Sequence, residues 1–71
     1  MLKQDETWIE LDPESMDAKG IPASHQFLLF LGMEEGKILG VHGDSGDIEA
    51  VEFDDLIGIY PSYDDLPARA R

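Results

Sequence analysis

The sequence predicts a small, mainly β domain: four or five short antiparallel strands, as a meander or an SH3-like half-barrel, with one short helix after the first strand. Three observations carry this. Apolar and β-branched runs of about five residues recur along the chain, Gly- and Asp-rich turn signals separate them, and a Pro-initiated segment ends at Gly20. A small α+β arrangement, with the helix on one face of an open sheet, is the alternative that the same connections allow.

Thr7-Trp8-Ile9-Glu10-Leu11 is the first strand, with Ile9 and Leu11 on one side. Asp12 stands at an N-cap, Pro13 at the first helical position and Glu14 in the first turn. Gly20 is a C′ stop, and Ile21-Pro22 blocks continuation, which frames a helix over residues 13–19 pinned by Met16.

Residues 24–36 admit two readings. Ser24 can cap a helix that ends at Gly36, but Gly32 falls inside it, and Phe27-Leu28-Leu29-Phe30-Leu31 lacks a 3.6-residue period. The sequence favours a strand that is apolar on both faces, followed by a three-residue loop, Glu34-Glu35-Gly36, with Gly36 left-handed. Lys37 to His42 is the next strand, Gly43-Asp44-Ser45-Gly46 a turn with Gly46 at positive φ, and Asp47 to Phe53 a further strand. Ile48 and Ala50 share one face there while Val51 and Phe53 share the other, so a bulge is expected near Ala50. Leu56 to Tyr60 is the last strand, ended by Pro61, and Ser62 with Asp65 frames one capped turn before Pro67. Residues 1–71 read as a single domain, with 1–5 and 67–71 expected to fray. The expected core is Leu29, Leu31, Leu39, Val41 and Ile57, with Phe27 or Phe30.

Charge sets the expected partner. Sixteen Asp plus Glu against five Lys plus Arg give a net charge of −11. That field repels nucleic acid and anionic membranes and attracts basic proteins. Salt adaptation and plain solubility are the bland alternatives; three lysines to two arginines argue against a halophile. The N-terminal residues meet charge at once and form no apolar leader, and the longest apolar run, Phe27–Met33, is far short of the ~20 residues a spanning helix needs. A cytoplasmic protein with no membrane partner is expected.

Chemistry finds little footing. With no cysteine, no disulfide or thiolate zinc site exists. Asp44, Asp47 and Glu49 form the best metal candidate, but Gly46 stands where an EF-hand needs an oxygen ligand. His25 and His42 make a two-histidine site only if the strands bring them together, which the hairpin does not require. Ser45 lacks a nucleophile elbow, Asp54/Asp55 and Asp64/Asp65 point to opposite faces if extended, and no phosphate-binding glycine loop is present. Neither enzyme activity nor a cofactor nor a metal is expected. Trp8, Tyr60 and Tyr63 are core or interface aromatics.

The functional expectation is therefore a non-enzymatic acidic binding protein. It would act as an inhibitor or decoy, a nucleic-acid mimic of the kind phages and mobile elements use, occupying a basic surface of a partner. Glu34, Glu35, Asp44, Asp47, Asp54 and Asp55, in or beside turns, are the expected partner-binding residues. The alternative is a structural or adaptor β-module acting as a homo-oligomer, because the strand from Phe27 is apolar on both faces and one face needs cover.

Overall fold

A computed structural model describes residues 2–71; Met1 lies outside the described residues. Five strands, β1 (Trp8–Leu11), β2 (Phe27–Glu34), β3 (Lys37–Val41), β4 (Ile48–Val51) and β5 (Leu56–Tyr60), form one antiparallel sheet in the order β4-β3-β2-β1-β5. The first four follow one another as a meander. The fifth returns to the free edge of β1, the feature that separates the half-barrel expectation from a plain meander.

Helix α1 (Pro13–Lys19) falls where the start and stop signals place it. Gly20 takes φ 72, its N–H donates to Asp17, and the N–H of Ile21 donates to the Met16 carbonyl at 2.8 Å. Asp12 caps less than expected: its side chain makes no bond to the helix backbone and instead accepts from Ser15 Oγ at 3.4 Å. Met16 is buried and fastens the helix to the core.

Residues 27–34 are strand, not helix. The β2–β3 connection is tighter than the expected three-residue loop: Glu34 pairs with Lys37, leaving Glu35 and Gly36 at φ 51 and 78. Positive φ at both central residues is the type I′ geometry that matches strand twist. Gly46, at φ 76, turns the chain between β3 and β4.

The expected bulge near Ala50 is absent, since β4 pairs with β3 without interruption from Ile48 to Val51. The apparent phase change has another cause. The strand ends at Val51, and Phe53 belongs to a 3₁₀ turn, Phe53–Asp55, capped reciprocally by Glu52 and Asp55. The register shifts fall instead at Glu10/Leu11 against β5 and at Phe30/Gly32 against β3.

The core sits on the opposite face from the one expected. Ile9, Leu11, Met16, Leu28, Phe30, Ile38 and Val51 are buried together, whereas Leu29, Leu31, Leu39 and Val41 are only half-buried and Ile57 is 57% exposed. Phe30 is the one expected core residue in place. Because β2 is apolar on both faces, its own pattern cannot select one; its neighbours do. Gly40, opposite Phe30, has no side chain, and Leu28 and Ile9 fill the space above it. The glycine that makes the even-numbered face of β3 look empty is what lets β1 and β2 pack over it.

Both ends of the chain are engaged. Leu2 packs on the core, and the N–H of Asp5 donates to the Phe30 carbonyl at 2.9 Å. Residues 68–70 form a 3₁₀ turn from which Arg69 reaches Glu10 at 2.9 Å.

Candidate functional site

The six expected carboxylates do not gather on one face. Glu34 and Glu35 lie at the β2–β3 turn, Asp44 and Asp47 at the β3–β4 turn, and all four are exposed. These turns join opposite ends of β3, separated by roughly 13 Å of strand. Asp54 is exposed in the 3₁₀ turn.

Asp55 is a correction. It is buried, accepts from Lys19 Nζ at 2.7 Å and from the Glu52 N–H at 2.9 Å, and so works inside the fold. The Lys19 bond and the backbone bond hold its carboxyl below the ordinary aspartate range, against the upward push of burial, and the same contact raises the Lys19 ammonium.

Glu10, also counted among the field-setting carboxylates, is buried in the sheet. Burial pushes its pKa up, but hydrogen bonds from Tyr60 Oη at 2.6 Å and Arg69 Nη2 at 2.9 Å outweigh it and leave the group below its usual value. The Tyr60 hydroxyl is raised in return, chiefly by its bond to Glu10. Arg69 also lies over the Phe27 ring, 5.1 Å from its centroid.

The two histidines, which the hairpin does not require to meet, are stacked with ring centroids 4.4 Å apart. His25 is buried, with Nδ1 2.9 Å from Glu49 Oε2 and Nε2 3.6 Å from Asp47 Oδ2. A carboxylate only accepts, so Nδ1 of His25 carries the proton. At His42 the order is reversed: Nδ1 accepts from the Ser45 N–H at 3.3 Å and from Ser45 Oγ at 2.9 Å. Asp47 and Glu49 thus face His25 rather than a shared cavity, and no three His, Asp or Glu groups among the described residues are placed to hold a metal ion.

Two of the concavities among the described residues carry exposed aromatic or aliphatic side chains. One, about 640 Å³, runs along Trp8, Phe27 and Tyr63, with Trp8 and Tyr63 edge-to-face at 5.8 Å and Arg69, Arg71 and Asp44 on its walls. The other, about 450 Å³, is the open mouth of the sheet, lined by Leu2, Phe30, Met33, Phe53 and Ile59. Met33, Phe53 and Ile59 are each about half exposed there, at 51, 55 and 49%. No carboxylate lines this apolar patch, but exposed ones neighbour it along the chain: Glu34 follows Met33, and Glu52 and Asp54 flank Phe53. One sequence signal pointed to it, an isolated Phe53 within an acidic run.

Among the described residues, no helix is long and apolar enough to cross a membrane. Comparison of the chain with protein-family models, with curated proteins and with solved structures finds no match.

Proposed function

We propose that this chain is a non-enzymatic acidic binding module that occupies a basic, nucleic-acid-binding surface of a partner protein through its open apolar mouth. The observation that carries the reading is the half-exposed trio Met33, Phe53 and Ile59 around one cavity, with the exposed carboxylates Glu34, Glu35, Glu52 and Asp54 next to Met33 and Phe53 along the chain. Large apolar side chains at the centre of a patch supply most of the affinity of a protein interface. Charges at its edge steer encounter and raise the on-rate. A net charge of −11 extends that steering over the whole molecule. Asp44 and Asp47, at the far turn, contribute only to this general field.

The test is affinity capture at low and high salt, followed by kinetics on the captured partner with two variants. Glu34→Lys/Glu35→Lys should slow association and lessen its salt dependence. Phe53→Ala should speed dissociation and weaken binding tenfold or more, about 1.4 kcal/mol. Capture of a neutral partner that survives high salt and both variants would end the proposal.

A further inference from the structure

Strand β5 is an edge of the sheet: it pairs with β1 on one side and with no strand on the other among the described residues. Edge strands that remain single are normally blunted by a lysine, a proline, an inward charge or a bulge. The segment Leu56-Ile57-Gly58-Ile59-Tyr60 carries no charge and no proline, in a chain of which 30% of residues are charged; its one blunting device is the register shift at Ile57 opposite Glu10/Leu11, and Gly58 to Tyr60 pair regularly with β1. Ile57 and Ile59 stand half exposed along it. The other edge, β4, carries Glu49.

We propose that β5 pairs antiparallel with β5 of a second copy of this chain, across a two-fold axis at Gly58. Two features select a second copy as the occupant. The strand is a near-palindrome about Gly58, so antiparallel pairing centred there sets Ile57 against Ile59 of the second copy and Leu56 against Tyr60, in both directions at once. This is the self-complementarity that a two-fold interface demands. The edge also offers a basic partner no carboxylate, whereas two acidic copies can meet on it without apposing any: Asp54, Asp55, Asp64 and Asp65 all lie outside the paired residues. The sheet then continues as ten strands.

The pairing has a salt signature opposite to that of the partner site. Each copy brings a net charge of −11, so self-association is opposed at low ionic strength and strengthens as salt screens the repulsion. Binding to a basic partner weakens under the same change, and the two proposals therefore fail separately.

Sedimentation velocity of the full chain should show monomer at low salt and a dimer population that grows with salt. Ile57→Lys should remain monomeric at every salt with an unchanged circular dichroism spectrum; Ile57 is outside the apolar mouth, so that site is left intact. A register test covers the case in which the lysine disturbs the fold. The chain has no cysteine, so Ile57→Cys and Ile59→Cys chains can be mixed under mild oxidation at high salt. Residues directly opposed in an antiparallel pair lie within the Cα separation a disulfide spans, whereas 57 and its own symmetry mate, offset by two residues, do not. The mixture should yield a 57–59 cross-link far faster than either chain alone. A monomer at all salts, a dimer that tightens as salt falls, or cross-linking equal in the mixed and unmixed samples would overturn the proposal.

Discussion

Replacing Gly40 by alanine tests the packing scheme most sharply. Gly40 is buried in β3, and a Cβ added there would lie 2.7 Å from Leu28 Cβ, 2.9 Å from Leu28 Cδ1 and 3.3 Å from Ile9 Cδ1. Either Cδ1 can rotate aside, but Leu28 Cβ is fixed to the backbone of β2. Ordinary contact between carbons begins near 3.5 Å, so β2 and β3 must part by roughly 0.8 Å where Gly40 pairs with Phe30. Overpacking of this kind costs about 1–3 kcal/mol. Alanine restricts the unfolded chain and returns about 0.4–1 kcal/mol, leaving a net loss near 1–2 kcal/mol. For a domain of this size that lowers the melting temperature by roughly 5–15 °C. Thermal melts and urea titrations of Gly40→Ala read the change directly. Gly46→Ala is the contrasting control: nothing lies within 4 Å of its Cβ, so its loss comes only from φ +76. A Gly40→Ala protein that melts at or above the parent would refute the account of how β1 and β2 fill the core.

Two further predictions concern the core face and the paired carboxylates. Leu28→Ala should cost about 2–5 kcal/mol by urea denaturation, and Leu29→Ala, half-buried on the other face, distinctly less; the reverse order would return the core to the face expected from sequence. Asp55 and Glu10 both titrate below their ordinary values in the folded chain, so the stability they contribute is complete above the unfolded carboxylate range and is lost as pH falls below about 4. Lys19→Met should flatten that acid limb by removing the ammonium that lowers Asp55, and an acid limb identical to the parent would show that this ion pair does not set it.

What could be read from the sequence was what local chemistry decides. Asp12-Pro13 and Gly20 bound α1 because proline and a left-handed glycine act on their own backbone. Gly36 and Gly46 marked two turns for the same reason. The strands could be located, but their inward face could not. In β2, Leu28 and Phe30 compete with Phe27, Leu29 and Leu31, and a one-residue change of phase inverts the whole assignment. The choice is made by Ile9, Ile38, Val51 and the vacancy at Gly40, on three other strands. The stacking of His25 on His42 was hidden likewise, because it needs the register of β2 against β3 rather than any spacing along the chain.

Charge misled in a more instructive way. Counting carboxylates gives the sign of the field, and that inference does not depend on the fold. Assigning carboxylates to a surface does depend on it. Glu10 and Asp55 are both buried, one under Tyr60 and Arg69 and the other under Lys19. Three of the chain's five cations are engaged with carboxylates, Lys19 with Asp55, Arg69 with Glu10 and Lys37 with Glu52 at 3.7 Å. The surface is therefore more one-sided than the composition alone suggests, because two of these cations, Lys19 and Arg69, satisfy the chain's own buried acids. What breaks that uniform surface is apolar: the mouth at Met33, Phe53 and Ile59 and the bare edge of β5. On a molecule that repels its own kind everywhere else, these uncharged breaks decide what can dock, and salt decides which of the two proposed partners does.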